Sequence, residues 1–287
     1  MGKIILLAPA YDEAENLTAL VEKADAAFRA AGYDYAVVVV NDGSRDETAA
    51  VLTELSSRFR MEIVTHRRNR GLGESIRDGL ERAVEVSDPD DVIVRIDGDN
   101  THEPQYVAKM IERLAQGYDI VIASRFQPGG TQLGVSLYRR VLSRFANLFM
   151  KCFFPMRNVR DFSCGYRAYR VAVVQHYVET FGKNSIQLGG LGFACTLEKL
   201  VKMHLLGARI SEIAFTHRYD LKLGQSKMAA NLTTLGYLIM MLMHYWPFGG
   251  WRRSYRALRR VPTTTTDGLP IARPRTSTVE PTRTRAA

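Results

Sequence analysis

Asp97-Gly98-Asp99 sets two carboxylates one residue apart, with a glycine between them that lets the backbone turn sharply. Both can face one hard, oxygen-preferring cation such as Mg2+ or Mn2+. Such a cation would bridge to a diphosphate and neutralise the charge building on it as it departs. Two more acidic clusters precede this one: Pro9-Ala10-Tyr11-Asp12-Glu13 with Glu15-Asn16, and Asn41-Asp42-Gly43-Ser44. Side by side they could grip the hydrogen-bond donors of a base and a ribose. Cations follow later in the chain, at Arg125, Arg139, Arg140, Arg144, Arg218 and Lys227, the last closing the loop Gly224-Gln225-Ser226-Lys227. A loop ending in a cation is suited to phosphate oxygens. Each feature alone has a plainer explanation: helix capping for the first two clusters, a surface turn for the D-x-D, and a solvated helix face for arginines such as Arg140 and Arg144.

Other chemistries find no support in the residue pattern. The six histidines have no H-E-x-x-H or comparable spacing, and there is no G-x-S-x-G nucleophile elbow. Asn69-Arg70-Gly71-Leu72-Gly73 matches neither G-x-G-x-x-G nor a Walker loop and is expected to be a turn into a helix. Three cysteines, Cys152, Cys164 and Cys195, give neither a disulfide framework nor zinc-ligand spacing, as suits a reducing compartment. The first residues run from Ile4-Ile5-Leu6-Leu7 straight into Pro9 and Asp12, which is expected to be a strand and not a secretory signal.

The three acidic clusters share one kind of position: each comes directly after a run that should be a strand. Apolar runs over 4–8, 35–40, 62–65, 92–96 and 120–123 alternate with segments of helical period, among them Leu17, Leu20, Val21, Ala24 and Phe28. Helices are expected over about 47–58 and 74–86, and from Pro104 to near Gly117. Such alternation predicts an α/β fold whose mainly parallel sheet is flanked by helices, and open sheets of that kind bind ligands beyond the carboxyl ends of their strands. After Ser124 the regularity weakens: a loop at Gly129-Gly130, a basic amphipathic helix over 135–150, a helix over 193–206 and a strand over 209–213.

Charge is unevenly placed. The chain has 287 residues and a formal net charge of +9, but nine arginines against two acids lie in the stretch from Arg252 to Ala287. The body is therefore near neutral, and nucleic acid is not the expected partner. Just before that basic end, residues 228–251 form a run of 24 residues without Asp, Glu, Lys or Arg. It holds Asn231, His244 and Pro247, and its Tyr245, Trp246 and Trp251 resemble an interfacial aromatic belt with a basic anchor. Surface or re-entrant insertion, a span, and a core or oligomer helix all stay open for it. Residues 262–287, rich in Thr and Pro, should be disordered. The expected organisation is a domain over 1–227, an apolar then basic helical segment over 228–261 that associates with a membrane, and a tail over 262–287.

Taken in order, Pro9-Ala10-Tyr11-Asp12-Glu13, Asn41-Asp42-Gly43-Ser44, Gly71-Leu72-Gly73, Asp97-Gly98-Asp99, Ser124-Arg125-Phe126, Gly129-Gly130, Asp161 with Ser163-Cys164-Gly165-Tyr166-Arg167, and Ser226-Lys227 resemble the family 2 glycosyltransferases of GT-A fold. Within them the motifs are similar to the dolichyl-phosphate mannosyltransferase-like group, which loads sugars onto polyprenyl phosphates. The resemblance covers most of residues 3–230. It implies an inverting, metal-dependent transfer of a hexose, mannose or glucose, from a nucleoside diphosphate sugar to a dolichyl or undecaprenyl phosphate at the cytoplasmic face of a membrane.

By the same resemblance Pro9, Tyr11, Glu13, Val40 and Asp42 would hold the nucleotide. Asp97, Gly98 and Asp99 would carry the donor diphosphate, with Asp97 and Asp99 as ligands of Mg2+ or Mn2+. Arg125, Arg139, Ser143, Arg218 and Lys227 would bind acceptor and donor phosphates, and Asp161 would support the sugar or the acceptor loop; Asp99, Arg125 and Asp161 form the catalytic set. The chain departs from the family pattern at Asn41, where Asp is usual, and at Asn100-Thr101-His102-Glu103, where Leu-Gln-His-Pro is common, so Thr101 stands where a third metal ligand could. The loop between Arg218 and Ser226 is longer than usual. Two alternatives remain: a soluble glycosyltransferase with a hydroxyl acceptor, which would need a general base such as Asp161 or Glu198, and a non-catalytic membrane or nucleic-acid binder using the Arg-rich end.

Overall fold

A computed structural model of the chain describes residues 2–223 and 230–258. Lys227 and the tail over 262–287 lie outside the described residues. The first half alternates strand and helix: β1 (Ile4–Ala10), α1 (Ala14–Ala30), β2 (Tyr35–Asn41), α2 (Thr48–Arg58), β3 (Met61–Thr65), α3 (Leu72–Glu85) and β4 (Val92–Arg95). Every residue of β1 is buried, as a strand covered by helices on both faces requires, which is why its sequence reads as one apolar run and not an alternation. The segment after Pro104 begins as a single 3-10 turn and becomes α4 (Val107–Ala115), followed by β5 (Ile120–Ser124).

Beyond β5 come β6 (Thr131–Leu133), α5 (Leu137–Phe153), β7 (Arg167–Arg170), α6 (Val171–Phe181), α7 (Ala194–Leu205), β8 (Ile210–Ala214), β9 (Thr216–Arg218), α8 (Ala230–Tyr245) and α9 (Gly250–Ser254). Seven strands form one sheet in the order β3-β2-β1-β4-β7-β5-β8, and β6 pairs with β9 in a small second sheet. All the pairings of the large sheet are parallel except those of β7, which runs antiparallel to β4 and β5. β7 has no apolar run to announce it. Its Arg167 is nevertheless fully buried, because its guanidinium donates to the carbonyls of Thr196 and Phe162.

The chain proceeds outward from β1 to β2 and β3, then returns to place β4 on the other side of β1. The crevice at such a reversal is where an open α/β sheet leaves room for a ligand. It receives the ends of β1, β2 and β4, and therefore all three acidic clusters.

From Ala230 onward the apolar run forms α8, a turn and the start of α9. One side of α8 packs on the body, with Met240 and Tyr237 buried, and lies so close to α7 that a Cβ on Gly236 would meet the Ala194 Cβ at 2.5 Å. Its other side exposes Leu232, Leu235, Leu238 and Leu242. Among the described residues no helix is long and apolar enough to cross a membrane.

Candidate active site

The D-x-D turn is shaped by its neighbours. Gly98 lies against β1, where a Cβ would meet the Pro9 carbonyl oxygen at 2.8 Å, so the two strand ends can close up only over a glycine. Asp97 is held from below by Arg95, whose Nη2 is 2.5 Å from its Oδ1 although the arginine is almost wholly buried. That guanidinium fills the space a side chain on residue 165 would need: a Cβ on Gly165 would sit 1.3 Å from Arg95 Nη1. The glycine of Ser163-Cys164-Gly165-Tyr166-Arg167 thus makes room for the support of the D-x-D.

His102 supports the same turn. Its Nδ1 accepts the Asp97 N–H at 3.1 Å, which assigns the proton to Nε2, 3.7 Å from Asp97 Oδ2. The ring stacks on Tyr166, whose hydroxyl donates to the Glu103 carbonyl. Burial lowers the pKa of His102 in spite of Asp97 and Asp99, so the ring stays neutral.

Asp99 is divided between two partners. Thr101 donates from its hydroxyl to Oδ1 at 2.7 Å, and Lys222 donates its ammonium to Oδ2 at 2.6 Å. Burial alone would raise the Asp99 pKa, but the Lys222 charge and its hydrogen bond bring it below the ordinary range. Thr101 therefore orients a carboxylate.

The nucleotide-side clusters lock to each other. Asp12 takes a left-handed backbone, donates its N–H to Ser44 Oγ and accepts the Arg45 N–H; Glu13 donates its N–H to Thr48 Oγ1 and accepts from Asn16. Asn41 accepts the Ser44 N–H through its amide oxygen. The Asp42 carboxylate accepts the N–H groups of Arg70 and Gly71 and contacts His66 Nδ1 at 2.6 Å. His66 also contacts Asp78, so Asp42 anchors the turn that opens α3. Pro9 faces Val40 across the β1–β2 pairing, and Val40 has no exposed surface, so it shapes the floor from behind.

The later residues divide into two groups. Arg125 grips Asp161 with Nε and Nη2, each at 2.7 Å, donates its N–H to the same carboxylate, and reaches Ser163 Oγ at 2.6 Å. Asp161 has no exposed surface and also accepts the Cys164 N–H. Burial would raise the Asp161 pKa, but the Arg125 charge and its hydrogen bonds hold it low; the guanidinium is correspondingly raised. A carboxylate so saturated is a counter-ion for Arg125. Arg218 is spent on Asp220 and Glu103. Arg139 is exposed on α5 with Nη1 3.4 Å from the Tyr219 hydroxyl, and Ser143 lies one turn further along the same helix.

Between the end of β5 and α5 opens a cleft of about 560 Å3 whose charged lining is Arg125, Arg144, Lys151 and Arg160. Lys151 and Arg160 carried no motif, and Arg144 reads in sequence as an ordinary helix-face arginine. Lys222 and His217 were likewise invisible to motif reading. The length of the loop after Arg218 was the only signal pointing toward Lys222.

Two carboxylates with further oxygens from substrate and water make a donor set of the kind Mg2+ uses, and Mn2+ takes similar oxygen ligands. Among the described residues no three His, Cys, Asp or Glu side chains form a group that could hold a metal by themselves. His217 Nδ1 is buried without a hydrogen-bond partner, and burial, with the Arg125 charge nearby, depresses the ring to about 3. This neutral imidazole lies 5.5 Å, ring centre to ring centre, from His102. The residues present fit a divalent cation at Asp97 and Asp99.

Comparison with known proteins gives the same grouping. The family model described as Glycosyl transferase family 2 matches residues 6–178. The chain is 30% identical to a dolichol-phosphate mannosyltransferase of Pyrococcus furiosus over 79% of this chain and 59% of that protein. It is 28% identical to a polyprenol monophosphomannose synthase of Mycolicibacterium smegmatis over 80% of this chain and 82% of that one. The chain thus spans about three fifths of the archaeal relative and most of the bacterial one. Among solved structures, glucosyl-3-phosphoglycerate synthase from Mycobacterium tuberculosis, in complex with Mn2+, UDP and phosphoglyceric acid, superposes with a TM-score of 0.57 at 17% identity, over 84% of this chain and 78% of that one. That likeness establishes a GT-A-like α/β fold.

Proposed function

The chain belongs to glycosyl transferase family 2, and from that premise we propose that it transfers a hexose, mannose or glucose, from a nucleoside diphosphate sugar to a polyprenyl phosphate with inversion at the anomeric carbon. One observation carries the choice of acceptor. The carboxylates of the later half that a hydroxyl acceptor would require as base, Asp161 and Glu198, have no exposed surface. Asp161 is saturated by Arg125, and Glu198 by Lys202 and the N–H groups of Gln187 and Leu188. A phosphate oxygen is already anionic and needs no base. Positioning and charge then supply the rate.

In this proposal Pro9, Tyr11, Glu13 and Asp42 form the nucleotide wall, with Val40 behind it. Asp97 and Asp99 would hold a divalent cation, which supplies positive charge to the leaving diphosphate. Arg95, His102 and Thr101 fix the two carboxylates. Arg125, held rigid by Asp161, presents the floor of the basic cleft to the acceptor phosphate; Arg139 and Ser143 of α5 and, on its sequence motif alone, Lys227 would add phosphate contacts. The relatives named for dolichol and polyprenol phosphates support the acceptor class, and the Mn2+-containing neighbour supports the use of a cation.

A membrane surface completes the proposal. α5 exposes Leu137, Tyr138, Phe145 and Leu148 beside Arg139, Arg140, Arg144 and Lys151, and the turn after α8 exposes Trp246 at 74% and Phe248 at 88%. Large apolar side chains set among cations suit the interface of an anionic bilayer. The catalytic body over 1–227 would rest on the cytoplasmic leaflet through α5 and the segment over 228–261, with 262–287 as a basic tail. The test is Asp99→Ala: sugar transfer should fall by at least about a hundredfold at saturating Mn2+, as expected when a main source of charge stabilisation is lost. Transfer at the wild-type rate would remove the D-x-D from the mechanism.

A further inference from the structure

We propose that Lys222 is the resident counter-cation of Asp99, a place-holder that a divalent cation must displace, so that this lysine sets the metal affinity of the donor site. The inference rests on the assignment of Asp99 as a metal ligand. Of the two Asp99 oxygens, Oδ1 is taken by the Thr101 hydroxyl at 2.7 Å and by its N–H at 3.3 Å, and Oδ2 is held by the Lys222 ammonium at 2.6 Å. A metal ion therefore meets Asp99 at the oxygen the ammonium already covers.

The two carboxylates of the D-x-D differ in how firmly their cations are fixed. The guanidinium on Asp97 belongs to Arg95, inside strand β4 and enclosed beneath Gly165, and has no path out. The ammonium on Asp99 stands at the end of a flexible four-carbon stem near the surface, with a tenth of the side chain exposed. Hydrogen bonds tie the backbone on either side of Lys222. The Leu223 N–H and carbonyl both pair with the Asn16 amide, each at 3.3 Å, and the Arg218 N–H donates to the Thr101 carbonyl at 3.1 Å. Exchange thus needs only side-chain rotation, and the Tyr219 ring, centred 6.0 Å from the ammonium, offers a seat for the displaced charge.

Exchange has a cost. A dication cannot share an oxygen with an ammonium at contact distance without strong repulsion, so binding proceeds only as the pair breaks. Removing the ammonium while keeping its stem should expose Asp99 to the metal directly.

The experiment is Mn2+ binding to the full chain without nucleotide, by calorimetry and by Mn2+ electron paramagnetic resonance. Lys222→Met should lower the Kd about tenfold, equivalent to about 1.4 kcal/mol, and Lys222→Arg, which keeps the charge, should bind no tighter than wild type. Lys222→Gln replaces the methionine variant if that one does not fold. An unchanged or raised Kd for the neutral variant overturns the place-holder, as does tighter binding by the arginine variant. Asp99→Asn separates the two levels. If it abolishes Mn2+ binding while Lys222→Met matches wild type, only the place-holder falls. If Asp99→Asn itself binds as wild type does, the metal assignment falls and takes the place-holder with it.

Discussion

Asp161→Asn separates a buried counter-ion from a catalytic carboxylate. The change keeps the side-chain shape and removes one charge in a place without solvent. It leaves the Arg125 guanidinium, whose side chain is 14% exposed, facing an amide. Nε and Nη2 each lose a charge-assisted bond of 2.7 Å, and whichever way the amide is turned, its NH2 group points at donors from Arg125 or Cys164. Breaking a buried pair by removing one partner typically costs about 3–5 kcal/mol, and that is the expected loss in urea unfolding followed by circular dichroism. Replacing both partners by apolar residues, as in Arg125→Met with Asp161→Leu, should restore much of it. Burial raises the Asp161 pKa, but Arg125 outweighs it and the folded value lies below the ordinary 3.8. A depressed folded pKa gives stability that is present above the unfolded value and lost as pH falls through the folded one, so the variant should show a shallower loss at the acid end. A loss below about 1 kcal/mol, with transfer abolished in the still-folded variant, would refute the counter-ion role and make Asp161 a residue of the reaction.

Gly165→Ala should cost more than about 2 kcal/mol, because the new Cβ would lie 1.3 Å from Arg95 Nη1. Combined with Arg95→Met its cost should be far from additive, and additive thermal unfolding shifts would show that the two residues do not share that space. His217 supplies a pH dependence. Its folded pKa of about 3 lies below the unfolded 6.5, so the folded state resists protonation and stability falls as pH drops from 6.5 toward 3. His217→Gln should abolish about 2 kcal/mol of the loss between neutrality and about pH 5, read from denaturant midpoints; an unchanged acid slope would place the ring in water.

The first half of the fold was legible because its strands are covered on both faces and so read as uninterrupted apolar runs, from Ile4-Ile5-Leu6-Leu7 to Val37-Val38-Val39-Val40. β7 was not, since Arg167 and Arg170 spend their charges on carbonyls and polarity in sequence concealed burial in space. The D-x-D and the clusters after β1 and β2 were found from position and type. Their supports were hidden for a different reason: Arg95, His102, Thr101 and Lys222 act through contacts that span from two to more than a hundred residues along the chain, for which no spacing rule exists. Arg125 and Asp161 were each named from their motifs, but their pairing across 36 residues had no spacing rule to show it. For the segment over 228–251 composition left span, surface and core open, and the structure divides the answer: one side of α8 packs on the body while the other exposes leucines.

The measurement closest to the central claim is transfer of labelled hexose from GDP- and UDP-sugars, with Mn2+ present, to polyprenyl phosphate or to the same polyprenol without its phosphate, in anionic vesicles. The expected result is a single glycosyl-phosphoryl-polyprenol of inverted anomeric configuration, with no product from the unphosphorylated polyprenol. Equal transfer to the free alcohol would contradict it, since that chemistry demands a base which neither Asp161 nor Glu198 can provide.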